Sequence, residues 1–113
     1  MCIRNCPVIT YDIEVFPNVF HCCCKNTETG QLYKFELSER KRDLISLVYF
    51  FMEKGVIFCG YNNKHYDDVI INYIMYHYGI LIHKSVEQVC KSLYNLSNAI
   101  VKATTKEEIS KLD

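Results

Sequence analysis

Two acids two positions apart, Asp12 and Glu14, stand inside the stretch VITYDIEVFPN at residues 8–18, which otherwise has the β-branched and apolar content of a strand. Residues i and i+2 of a strand share a face, so both carboxylates project together near the strand's end. Like charges held close are unfavourable unless a cation or a donor compensates them. A divalent ion does this economically, because Mg²⁺ accepts one or two carboxylates together with water and substrate phosphate oxygens. D-x-E alone recurs by chance and needs context. A second stretch, FCGYNNKHYDDVIINYI at 58–74, supplies it. Asn62 follows an apolar run and can fix a loop by side-chain bonds to backbone. Tyr66 can pack beneath a site, and Asp67 stands where a helix begins, placed to face the first strand across a short gap. The alternative for Asp67 is an N-cap, and Asp68 reads as a first-turn charge.

The elements that must position these residues can be read from periodicity. Residues 8–15 read as a strand, broken by Pro17-Asn18, and 19–25 as a second. NTETG, ending at Gly30, is a turn signal, and 31–37 a third strand forming a hairpin with the second. Ser38 is a candidate N-cap for a helix over 39–54, with Leu44, Leu47, Val48 and Phe51 on one face and Gly55 as its stop. The run 56–62 is short, apolar and bounded by Gly and Asn, as a buried parallel strand is. Helices follow over 67–78, ended by Gly79, and over 85–103, and the capping box at 105–108 opens a short last one. Strand–strand–strand–helix–strand–helices predicts a mixed sheet with helices packed on it and residues 8–15 as its central strand.

The bulk properties exclude some classes. With 113 residues, half of them hydrophobic, the chain suits one domain with a real core. Thirteen basic residues balance thirteen acidic ones, so no long-range field draws in a polyanion or a membrane. The seven cysteines show no C-x-x-C pair, and Cys22, Cys23 and Cys24 alternate faces on a strand, so free thiols in a reducing cytoplasm are expected rather than a zinc site. There is no signal peptide and no apolar run long enough to span a bilayer, so the expected location is the cytoplasm, that of a host cell if the gene is phage-borne.

YDIE followed by GYNNKHYDD resembles the first two exonuclease motifs of family B DNA polymerases, especially those of phages. These belong to the four-carboxylate 3′–5′ exonucleases of ribonuclease-H-like fold. The resemblance spans residues 8–78, and SLYNLSNAIV is more loosely similar to the helical region that follows. It implies an α/β, truncated ribonuclease-H-like mixed sheet, a β-hairpin plus parallel strands with packed helices. The chain would then be one truncated domain, its core at 7–79 and a helical segment at 85–112. Asp12 would bridge two metals (Mg²⁺ or Mn²⁺), Glu14 would hold the one carrying the attacking water, and Asp67 would support the second. Asn62, Asn63 and Tyr66 would contact the 3′ end of a single-stranded DNA.

The third motif of that family, Y-x-x-x-D or H-x-x-x-x-D, does not occur in these 113 residues. It supplies the fourth carboxylate and the activator of the water. His65, His77 and His83 are candidate bases, but a lone histidine is more often packed or exposed. Little or no catalysis is therefore expected of the chain by itself, and any metal binding should be weak. Two roles fit: a replication exonuclease piece acting through a protein partner or homo-oligomer, or a non-catalytic phage-borne binder that reuses the fold. An inhibitor of a host defence nuclease, of anti-CRISPR type, would be such a binder.

Overall fold

A computed structural model describes residues 6–60 and 64–105, the side chains at 64, 65 and 103–105 excepted. Three strands open the chain: β1 (Val8–Phe16), β2 (Val19–Asn26) and β3 (Leu32–Leu37). Helix α1 (Leu44–Phe51) leads to β4 (Ile57–Gly60), and α2 (Lys64–Tyr76), α3 (Tyr78–Leu81) and α4 (Val86–Thr105) follow. The sheet order is β3-β2-β1-β4, antiparallel throughout except that β1 and β4 run parallel. The protein is thus α/β with a four-stranded mixed sheet, and β1 lies inside it as expected.

Register follows from the turns. Only Pro17 and Asn18 separate β1 from β2, so Phe16 pairs with Val19 and Glu14 with His21. Asn26 closes the β2–β3 turn, its carboxamide oxygen accepting the Glu28 and Thr29 N–H groups at 2.9 and 3.2 Å. All the helices whose packing is described lie on one face. Ile9, Tyr11 and Ile13 of β1, with Phe20, Cys22 and Cys24 of β2, form a core with Leu47 of α1, Ile70 and Ile74 of α2 and Leu93 of α4. Phe51 sets its ring edge-on to Tyr11 at 5.2 Å, and Phe50 reaches both Phe35 and Phe58, so α1 bridges β3 to β4. The alternate residues of every strand, Thr10, Asp12, Glu14, His21, Cys23, Lys34, Glu36, Ile57 and Cys59 among them, are half-buried or exposed. The sheet therefore has one covered face and one bare face.

Three sequence expectations need correction. Helix α1 starts at Leu44, not Glu39, because residues 38–43 fold back on β3. Asp43 N–H donates to the Glu36 carbonyl at 3.0 Å, Glu36 N–H donates to the Asp43 carboxylate at 3.0 Å, and Leu37 bridges Arg42. Ser38 caps nothing, since its hydroxyl donates to the Glu36 carboxylate. The turn after α1 is made at Gly55, whose φ of 86° favours glycine. Gly79 does not end its helix either, because α3 carries the helical path through it. The start of α4 has a capping box that the sequence reading did not single out. Gln88 N–H donates to Ser85 Oγ and Ser85 N–H to Gln88 Oε1, each at 3.1 Å. The box at 105–108 lies, apart from Thr105 itself, outside the described residues.

Candidate functional site

Strand alternation places Asp12 and Glu14 side by side on the bare face, while Tyr11 and Ile13 between and beside them turn into the core. Register adds their neighbours. Cys23 lies across from Asp12 and Lys34 beyond it; His21 lies across from Glu14 and Glu36 beyond it. Together with Lys41 they line an open hollow of about 470 Å³. His21 stands between two carboxylates, its Nδ1 4.0 Å from Glu14 Oε1 and its Nε2 3.4 Å from Glu36 Oε1. Glu36 also accepts from Arg40, Nε–H at 3.0 Å and Nη2–H at 3.2 Å, and from the Ser38 hydroxyl. The Arg40 bonds first, then that of Ser38, hold its carboxyl at about 2, against 4.5 ordinarily.

Asp67 is elsewhere. It lies in the first turn of α2, 2 % exposed, on the covered face. Gly60 pairs with Tyr11 on that face, and a Cβ added there would sit 3.3 Å from Asp67 Cβ and 3.3 Å from Asp68 Oδ1. The α2 start thus comes against β4 because position 60 has no side chain. Tyr11 donates its hydroxyl hydrogen to Asp68 Oδ1. Burial, this bond and the charges of Asp68 and Asp67 push the Tyr11 hydroxyl well above the usual phenol range. Asp68, read from sequence as a plain helix-start charge, is therefore an anchor between α2 and the central strand.

Of the three acids expected to gather, Asp12 and Glu14 lie on the bare face, and Asp67 is buried beside Gly60 on the covered face. Among the described residues no group of three or more His, Cys, Asp or Glu is placed to hold a metal ion. Asp12 and Glu14 fit a single hard cation completed by water. Tyr66, expected at the substrate strand, is half-buried, with its hydroxyl 2.7 Å from Ser97 Oγ of α4. Asn62 and Asn63 lie outside the described residues, as does the side chain of His65. His77 stacks on Tyr73 at 4.3 Å with Nδ1 3.0 Å from the Tyr73 carbonyl, which is a packing role. His83 is exposed near the end of α3, away from the pair in sequence and on a different element.

No protein-family model, curated protein or solved structure matches the chain. The sequence reading missed His21, Lys34, Glu36 and Lys41 as neighbours of the acid pair. The signal was present: a two-residue turn after Phe16 fixes Glu14 opposite His21, and the next hairpin fixes Glu36 opposite His21. Cys22, Cys23, Cys24, Cys59 and Cys90 form no disulfide, with the Cys22 and Cys24 Sγ atoms 3.7 Å apart in the core. Among the described residues no helix is long and apolar enough to cross a membrane.

Proposed function

We propose that this chain is an exonuclease-like domain of the four-carboxylate, ribonuclease-H-like type, related to phage DNA polymerases. It does little or no chemistry alone and acts through a protein partner in phage DNA replication. The observation that carries the reading is the position of Asp12 and Glu14, paired on the open face of the central strand of a mixed sheet. A hairpin followed by a helical crossover to a parallel strand is the order that the ribonuclease-H-like reading requires. The 3′ end of a single-stranded DNA is the substrate class that the two motifs imply.

The same geometry limits the chemistry. Two-metal hydrolysis needs its acids around one pair of ions, stabilising the attacking and leaving oxygens together. Asp67 is turned to the other face, and the third motif is absent from the sequence. The acid pair with water supports weak binding of one Mg²⁺ or Mn²⁺ and no more. A formal net charge of zero gives no electrostatic funnel for a polyanion.

A second reading is favoured by the bare sheet face, a broad mixed-charge surface rather than a closed cleft. In it the chain is a non-catalytic phage-borne binder, such as an inhibitor of a host defence nuclease. Digestion of a 3′-labelled oligonucleotide with Mg²⁺ or Mn²⁺, beside an Asp12→Ala control, tests the main limit. The expected result is no release above the control. Robust release that vanishes in the variant would show that the chain assembles a working centre and would overturn the non-catalytic assignment.

A further inference from the structure

The two carboxylates on either side of His21 differ in what else they hold. The Glu36 side chain is 14 % exposed, takes the Arg40 guanidinium on both oxygens and accepts the Ser38 hydroxyl as well. Those bonds hold its carboxyl at about 2, so it is a fixed anion at neutral pH. The Glu14 side chain is 64 % exposed and can turn toward a ligand. The ring lies nearer the fixed anion, with Nε2 3.4 Å from Glu36 Oε1 and Nδ1 4.0 Å from Glu14 Oε1. A neutral imidazole carries one proton, and the nitrogen nearer a fixed carboxylate keeps it. The Nδ1 lone pair is then the one that faces Glu14.

That arrangement is the one a metal-ligating histidine has. Its far nitrogen is held by an outer carboxylate, which fixes the tautomer and raises the basicity of the nitrogen that ligates. Distance agrees. A gap of 4.0 Å is too wide for a hydrogen bond between Nδ1 and Oε1. It is within the span of two donors that each stand about 2.0–2.2 Å from one ion. One nitrogen and one oxygen donor, completed by water, make a weak site, in keeping with the lack of any group of three ligands among the described residues. The nitrogen decides which ion is preferred. Mg²⁺ takes oxygen ligands and gives up water reluctantly. First-row transition-metal dications accept imidazole, and their affinity rises from Mn²⁺ to Co²⁺.

We propose that His21 Nδ1 joins Glu14 as a ligand of the ion taken by the bare-face hollow, with Glu36 positioning the ring, so that the hollow selects a first-row transition-metal dication over Mg²⁺. This rests on the reading of Asp12 and Glu14 as a cation site, and adds to it a ligand and an ion class.

The test is titration calorimetry of the full chain at pH 8 with Mg²⁺, Mn²⁺ and Co²⁺, repeated on three variants. The wild type should bind Co²⁺ most tightly and Mg²⁺ least. His21→Gln, at an exposed position, should keep the wild-type circular dichroism. It should weaken Co²⁺ binding about tenfold or more and leave Mg²⁺ binding unchanged. Glu14→Ala should weaken all three ions. Cys23→Ser, on the same face two residues from His21, should weaken none. In the wild type, Mn²⁺ should broaden the ring signals of His21 in nuclear magnetic resonance before those of the other three histidines, which a merely structural His21 would not show. If Glu14→Ala abolishes binding but His21→Gln weakens Co²⁺ and Mg²⁺ alike, or neither, the inference falls and the acid-pair reading stands. If the wild type binds no ion, or Glu14→Ala changes nothing, both fall. Co²⁺ binding that Cys23→Ser removes and His21→Gln keeps places the ion on the thiol and overturns the assignment to His21.

Discussion

The two faces of the sheet divide the carboxylates between different tasks. On the covered face, Asp67 and Asp68 stand at the start of α2 against Gly60 and Tyr11, Asp67 buried and Asp68 half-buried. On the bare face, Asp12, Glu14 and Glu36 share a wet hollow with His21 and two lysines. An acid out of water is costly unless it is bonded, and the bond from Tyr11 to Asp68 ties α2 to the central strand. An acid in water is available to ligands and contributes little to stability. The lesson is that a spacing motif gives the direction of each side chain within its own element, not the face of the sheet on which a second element meets it. Asp12 and Glu14 share a face through strand geometry alone; Asp67 joins or leaves them according to which side α2 packs on.

The comparison breaks hardest if the covered face does not dominate stability. Phe20→Ala removes a fully buried ring near the start of β2 and should destabilise by about 3–5 kcal/mol. That is a large share of the roughly 5–15 kcal/mol typical of a domain. Glu14→Ala, next to Phe20's partner Val15 but on the bare face, should change stability by no more than about 0.5 kcal/mol. Urea midpoints for both variants give the contrast directly. Equal losses would mean that the bare face is covered in solution.

A smaller effect probes the acids of the covered face. Tyr11→Phe keeps the ring that packs on Phe51 and deletes only the hydroxyl that donates to Asp68. Leaving a half-buried carboxylate without that donor should cost about 1–3 kcal/mol. Asp68→Ala should cost a similar amount, and the double variant should lose less than the sum, because both changes remove one interaction. Additive losses in that cycle would mean that the bond is not formed in solution.

These contrasts also show what the sequence made legible. The strands, their order and the burial of α1 along Leu44, Leu47 and Val48 follow from alternation and helical spacing, which are local. The central place of β1 follows from the hairpin and crossover rules. What failed was decided between elements. Ser38 looked like a cap, but the nearby Glu36 and Arg40 took its hydroxyl, and the chain folded back to Asp43 before α1 began. Gly79 looked like a stop because glycine usually is one after a helix, yet its backbone stays helical. The spacing of the two motifs does not record the side of the sheet on which α2 lands, so it could not give the face on which Asp67 lies.

The smallest expected effect sharpens the bare face. Glu36 is held at about 2, from 4.5, mainly by Arg40 and then by Ser38. A carboxylate whose folded value is depressed contributes stability above its unfolded value, and loses it as pH falls through the folded one. The window here is therefore from about pH 4.5 down to about 2. In Arg40→Ala the main cause is gone, and the Glu36 carboxyl returns upward toward 4.5. The stability difference between wild type and variant should be fully present at pH 6, shrink steadily below pH 4.5 and vanish near pH 2. Urea unfolding at a series of pH values, at low ionic strength, measures it. Salt should flatten the difference, because Arg40 is well exposed and its attraction is screened. A difference that stays constant down to pH 2 would mean that Arg40 acts through packing of its stem, and that the Glu36 carboxylate on the bare face is held by Ser38 and His21 alone.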